Sequence, residues 1–305
     1  RRGAAWGVRR VSSYDLQERL LLRETSRASA ALWVPLLREV LAPTSVVELG
    51  CGVGERQAAF ERAGVRDIVG FDLPDAAEAG LAIDPSRFVG GDLRCYVPVG
   101  RRFDVAMSME VAEHLPYDHA PAFVAYLASL ADVIVFGAAV PLQGGENHTN
   151  EQFPEFWAEL FALHGYQPVD CLRDIYWAEE AASWFYAQNT LLYLNSAGLD
   201  RLPHLRPFAE TTDPTRLTRF HQYAPDSAVY HANFMLGLAE PQRQIEPAEV
   251  QTEQWMSDLY GYLAGRARPH RAVSTSSNCY YRGLDQLQPR PCRHPAVLAK
   301  IPPPA

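Results

Sequence analysis

"VVELGCGVG", Val46 to Gly54, joins a short apolar burst to three glycines at alternate positions, Gly50, Gly52 and Gly54, with Glu48 two places before the first. Glycine at such points lets a backbone turn tightly and approach a ligand closely. The spacing departs from the G-x-G-x-x-G of a dinucleotide site. Glu55 stands where the third glycine belongs and would put a carboxylate at the helix N-terminus that a pyrophosphate needs. A ligand with a zwitterionic amino-acid tail suits the loop better, with Glu48 holding an ammonium and the amides near Gly50 and Gly52 facing a carboxylate or a ribose edge.

Outward from this loop the chain alternates in period. "SVVEL" (45–49), "DIVGFD" (67–72), "RFVGGD" (87–92), "FDVAMSM" (103–109) and "DVIVFGAAV" (132–140) read as strands. Helical patterns lie between or beside them at 56–64, 76–83 and 120–130, and a further helix is expected from near Glu151 to Gly165. Short strands alternating with helices build a doubly wound parallel sheet. "QPVDCL" (167–172) is the last expected strand. The aromatic-rich "WAEEAASWFYAQNTLLYL" (177–194) reads as a helix. Ahead of the sheet, residues 14–41 carry apolar positions at helical spacing. Behind it, regularity fades except in "EPAEVQTEQWMSDLYGYLAG" (246–265), where Trp255, Leu259 and Leu263 recur every four residues, and the end is too rich in proline for regular structure.

Composition narrows the partners. The 305 residues, 48% hydrophobic, can bury a large core. A net charge of -8 argues against broad nucleic-acid binding, which requires a basic stripe to displace counterions. Five cysteines, scattered and without a CxxC pair, fit a reducing cytoplasm rather than a disulfide scaffold or a structural zinc site. No run of about 18 uncharged apolar residues spans a membrane. A small-molecule partner is the expectation.

Acids also close the next strands. Asp72 ends "VGFDLP", where a carboxylate can accept both hydroxyls of a ribose, and "GGDLR" offers Asp92 to an exocyclic amine and the Leu93 amide to a ring nitrogen. "ELGCGVG", "FDLP", "GDLR" and "FDVAMSMEVAEHLP", in this order and spacing over about residues 40–175, resemble the successive motifs of class I S-adenosylmethionine-dependent methyltransferases. That resemblance implies S-adenosylmethionine as cofactor and S-adenosylhomocysteine as product. It places Glu48, Gly50, Cys51, Gly52 and Gly54 at the methionine end, Asp72 and Leu73 at the ribose, Asp92 and Leu93 at the adenine, and Met109 beside the cofactor, with Tyr14 of the N-terminal helix closing over it.

Two stretches carry candidate chemistry. In "SMEVAEHLP", Glu110, Glu113 and His114 fall at i, i+3 and i+4 and would share a face if helical. Two carboxylates and an imidazole can bind a divalent metal. The reading preferred on sequence is polar helix surface or packing, with His114 and Glu113 kept as candidate catalytic groups. The second stretch, "GGENHTNEQF" (144–153), follows a strand whose carboxyl end faces the ligand crevice. There His148 is expected as general base or substrate anchor with Asn147, Asn150 and Glu151 around it, while the alternative makes Asn147 or Asn150 a helix cap. The run from this loop to "SWFYAQN" also resembles bacterial small-molecule methyltransferases of glycan and specialised-metabolite pathways.

The chain is therefore expected to be a cytoplasmic α/β protein with a Rossmann-like, doubly wound, mostly parallel seven-stranded sheet. The expected division is a helical cap (1–41), a cofactor-binding core (42–195) and a C-terminal extension (196–305); the sequence leaves the oligomeric state open, a homodimer being plausible. The expected activity is methyl transfer to an oxygen of a small molecule with histidine-assisted deprotonation. N- or C-methylation, a non-catalytic binding protein of the same fold and a nicotinamide oxidoreductase are the alternatives.

Overall fold

The computed structural model describes residues 16–95, 99–177, 183–222, 226–228 and 231. Tyr14, the pattern at 246–265 and the proline-rich end lie outside them. In chain order the helices are α1 (Leu16–Leu41), α2 (Glu55–Arg62), α3 (Ala120–Leu130), α4 (Pro154–Ala162), α5 (Arg173–Tyr176), α6 (Trp184–Asn189), α7 (Ser196–Arg201) and α8 (Arg206–Thr211). The strands are β1 (Ser45–Leu49), β2 (Asp67–Asp72), β3 (Phe88–Gly90), β4 (Val105–Met109), β5 (Val133–Gly137), β6 (Gln167–Val169) and β7 (Leu191–Leu194).

They form one sheet in the order β3-β2-β1-β4-β5-β7-β6. The first five strands pair in parallel, whereas β7 runs antiparallel to both β5 and β6. Each of β1, β4 and β5 is an apolar run apart from Ser45, Glu48 and Ser108, as a strand covered on both faces must be. On one face α3 and α4 bury Phe123, Leu127, Phe156, Trp157 and Phe161 against Leu49, Ala106 and Ile134. On the other, α1 and α2 bury Trp33, Leu37 and Phe60 against Val46, Val105 and Val133, joined by Leu199, Leu202 and Leu205 from α7 and the turn after it. Strand order reverses direction at β1 and β4, which opens a crevice beyond their carboxyl ends.

The seven-stranded sheet expected from the sequence is present, with four local differences. The segment expected to be one helix over 177–194 contains α6 and then β7, because "LLYL" is buried on both faces and a continuous apolar run carries no period to separate strand from helix. The sheet thus continues past β6, and β7 inserts between β5 and β6. The expected helix at 76–83 is a 3-10 turn, Pro74–Ala79, ended by Gly80 at φ 82°. The helix expected from near Glu151 begins at Pro154, with Phe153 extended before it; a residue preceding proline is pushed out of the α region, and proline itself is well suited to the first helical position. Neither Asn147 nor Asn150 caps it.

Candidate active site

The loop between β1 and α2 is shaped by its glycines. Gly50, Gly52 and Gly54 all have positive φ, at 82°, 57° and 88°. A Cβ on Gly50 would lie 2.2 Å from Val111 Cγ2 and one on Gly54 2.8 Å from Ile83 Cγ1, so these two are fixed by packing. At Gly52 nothing lies within 4 Å of that position, which leaves open space over the backbone where a ligand can approach. The Gly50 and Cys51 amides donate to the Phe71 carbonyl, binding the loop to the end of β2. Cys51 is buried, and burial pushes its thiol well up, so it stays neutral.

The acids around this loop are already engaged. Glu48 is fully buried, and its two oxygens accept from Arg56 Nε and Gln57 Nε2; Arg56 continues to the Tyr186 hydroxyl at 3.1 Å. Its charge is compensated within the fold. Asp72 accepts the Gly52 amide at 2.6 Å and the Leu73 amide at 2.7 Å, at the tip of β2. Asp92 holds Arg94 through both oxygens; despite partial burial, these bonds keep its carboxyl below the usual range. Leu93 packs half-buried against the apolar core, and Met109 is buried in the core on the α1 side of the sheet. The strand ends of β1, β2 and β3 thus bring Glu48, the glycine loop, Asp72 and Asp92 to one rim, without Met109, and the open space above Gly52 fits a ligand pressed against bare backbone.

A second cluster forms beyond β4 and β5. Glu110 caps β4 with φ 56°, a left-handed conformation that strains a residue with a side chain. Residues Ala112–His114 follow as a 3-10 turn rather than the helix considered above, and this turn delivers Glu113 and His114 to the same place. The loop 144–153 closes on it: the Thr149 and Asn150 amides donate to the Glu113 carbonyl at 2.8 and 3.0 Å. Gly145, at φ 147°, lies against the His148 ring, where a Cβ would sit 2.3 Å from Nε2.

Glu113, His114 and His148 then have potential ligand atoms within 4.8 Å of one another. The two imidazoles meet edge to face with centroids 4.9 Å apart. His148 Nδ1 bonds Glu151 Oε1 at 2.7 Å, and the other Glu151 oxygen accepts the Leu142 amide. Glu113 is 0% exposed and no side chain gives its oxygens a hydrogen bond, while the backbone amides of Glu113 and Ala139 favour its charged form. Burial, then the neighbouring Glu110 charge, raises its carboxyl well above the ordinary range. Burial likewise raises Glu110 to about 7, while burial and the adjacent His148 lower His114 to about 4.

Three further residues complete the cluster and were not singled out in sequence. Gln143 Nε2 donates to Glu110 Oε2 at 2.8 Å, Asn189 Nδ2 donates to Glu110 Oε1 at 3.0 Å, and Gln188 lies behind Asn189. Their one legible signal is the polar pair "QN" inside the apolar run "WFYAQNTLLYL".

The family described as "Methyltransferase domain" matches residues 15–184. A ubiquinone biosynthesis O-methyltransferase of Methylobacterium nodulans is 35% identical over 99 residues, which cover 30% of this chain and 36% of that protein. The chain thus matches about a third of the length of that curated relative. Solved structures that resemble it include magnesium protoporphyrin IX methyltransferase from Synechocystis PCC 6803 with bound S-adenosylhomocysteine (19% identity, 61% of this chain and 89% of that one, TM-score 0.42). Another is an amino pentose methyltransferase of calicheamicin biosynthesis from Micromonospora echinaspora (15% identity, 61% and 98%, TM-score 0.44). With a match over more than half its length and the sheet order described above, the chain belongs to the methyltransferase-domain family, that of the class I S-adenosylmethionine-dependent enzymes.

Proposed function

We propose that the protein is an S-adenosylmethionine-dependent O-methyltransferase of a small molecule, in which Glu113, His114 and His148, with Glu110 alongside, hold a divalent cation beside the acceptor. The observation that carries this reading is the convergence of Glu113, His114 and His148 next to Glu110, at the carboxyl ends of β4 and β5, beside the cofactor crevice. The curated relative, an O-methyltransferase by name, supports oxygen as the acceptor atom.

The donor set argues for a cation. Two buried carboxyls side by side cannot both ionise without compensation. Gln143 and Asn189 nonetheless both point N–H groups at Glu110, an arrangement suited to a carboxylate and wasted on a protonated acid. His114 is held neutral, as a metal-binding imidazole must be. Glu151 grips Nδ1 of His148 and so fixes which nitrogen is left for a ligand, the carboxylate–histidine pairing usual behind metal-bound imidazoles.

Within the cofactor rim, Asp72 and Asp92 would receive the ribose and the adenine amine, and the open face of Gly52 the amino-acid tail. S-adenosylmethionine supplies the activated methyl group. The chain's task is then alignment and management of the acceptor proton. A divalent cation held by the cluster would lower the pKa of an acceptor hydroxyl. A second reading rests on the His148–Glu151 pair alone: with Nδ1 anchored, Nε2 of His148 would take the acceptor proton directly.

Transfer of a tritiated methyl group from S-adenosylmethionine to a panel of hydroxylated and aminated small molecules separates the readings. The expected result is label on a hydroxylated acceptor, lost with EDTA and restored by Mg²⁺ or Mn²⁺. Label on amines alone would sink O-methylation. Transfer indifferent to EDTA would sink the cation and leave His148 as the base.

A further inference from the structure

Residues 213–221 lie beyond the stretch matched by the family, yet they are pinned to the site. Glu155 of α4 accepts the Leu217 and Thr218 amides at 2.7 and 2.6 Å and the Thr218 hydroxyl at 2.5 Å. Arg173 bridges the Leu217 and Gln188 carbonyls at 2.7 and 3.2 Å. The strap ends at His221, whose ring is flanked by Trp177 and Trp184 at 5.3 and 6.4 Å.

One side chain connects this strap to the cluster. Gln188 is 1% exposed; its Oε1 accepts the His221 amide at 2.8 Å, and its Nε2 donates to Asn189 Oδ1 at 3.1 Å and Gln143 Oε1 at 3.5 Å. Asn189 donates in turn to Gln143 Oε1 at 2.8 Å and to Glu110 Oε1, and Gln143 donates to Glu110 Oε2. Each amide thus accepts at one end and donates at the other, and every donation runs toward Glu110. Reversing any one amide would set N–H against N–H, so the network has one direction from strap to carboxylate.

We propose that Gln188 is a positioning residue that couples the seat of the strap Leu217–His221 to the orientation of the Glu110 carboxylate. The proposal rests on the cation reading above. Gln188 touches neither cofactor rim nor cluster ligand itself; it acts through Asn189 and Gln143. A buried amide with both ends used also explains why a polar pair interrupts an otherwise apolar run.

The test is Mn²⁺ binding, followed by electron paramagnetic resonance, with S-adenosylhomocysteine affinity measured alongside by calorimetry on the full chain. Gln188→Met, which keeps the volume and removes all three side-chain hydrogen bonds, is expected to weaken Mn²⁺ binding by about tenfold and to change the spectrum of the bound ion, with S-adenosylhomocysteine affinity within about twofold. Loosening the strap from its far side with Glu155→Gln, or more gently with Thr218→Val, should weaken Mn²⁺ binding in the unaltered background and add nothing in Gln188→Met. If the unaltered protein binds Mn²⁺ but Gln188→Met leaves affinity and spectrum unchanged, or the two changes simply multiply, the coupling is wrong while the cation site stands. If the unaltered protein binds no Mn²⁺, the cation site falls and the coupling with it.

Discussion

Glycine in the β1–α2 loop serves two purposes that a single added methyl separates. Gly50→Ala drives a Cβ to within 2.2 Å of a Val111 methyl at a positive φ, so we expect loss of folded stability together with loss of S-adenosylhomocysteine binding. Gly52→Ala meets only open space and pays about 1–2 kcal/mol for its left-handed backbone; it should stay folded and lose affinity for the cofactor. Thermal melts with and without S-adenosylhomocysteine distinguish the two, and a Gly52→Ala protein that binds normally would remove the cofactor from that face. The buried acids make a second prediction at this scale. Glu110 is raised from 4.5 to about 7 in the folded chain, and Glu113 is raised too, so these two acids bind more protons in the native state than in the unfolded one across that window, against the opposite and smaller contribution of His114, lowered to about 4. Without added metal, stability should therefore fall as pH rises from about 4.5 to about 7. Glu159, raised to about 7 by burial, adds to that slope but lies on α4. The part due to the cluster is isolated by Mn²⁺, whose stabilising effect should grow over the same interval because cation and protons compete, and should vanish in Glu113→Gln.

At the scale of elements, what was legible in the sequence was what is local. The acid and glycines of β1, the acids ending β2 and β3, and the alternation of strands with helices each depend on a few neighbouring residues, and the sheet follows from them. The β7 strand was not legible, since Leu191–Leu194 is buried on both faces and shows neither period. The cluster was legible only in halves: Glu110, Glu113 and His114 announce themselves in one stretch and His148 and Glu151 in another, but their meeting depends on β4 and β5 lying side by side. Gln143 was silent, and the pair Gln188–Asn189 showed only as a polar break in an apolar run, because amides acquire a role only through partners distant in sequence. The strap has a testable anchor in the same terms. Glu155→Ala leaves three donors of residues 217 and 218 without an acceptor and should cost about 3 kcal/mol, with faster proteolytic cleavage near Thr215; unchanged cleavage would mean that the strap is held elsewhere.

The whole molecule is larger than the stretch the family match covers. Residues 15–184 contain the cofactor rim and most of the cluster, yet β7, which separates β5 from β6, lies after that stretch, as do Leu199, Leu205 and Leu217 of the core. A chain ending at 184 should therefore fail to fold; a well-folded form of that length, by circular dichroism, would contradict this account of the sheet. No helix among the described residues is long and apolar enough to cross a membrane. The central claim, a methyl donor on one rim and a cation cluster beside it, is tested most directly by crystals grown with S-adenosylhomocysteine and Mn²⁺ and measured for anomalous scattering. The account predicts a single strong peak within about 2.5 Å of a carboxylate oxygen of Glu113 and imidazole nitrogens of His114 and His148, with the ligand's ribose on Asp72. Ordered S-adenosylhomocysteine with no Mn²⁺ peak among those three side chains would contradict it.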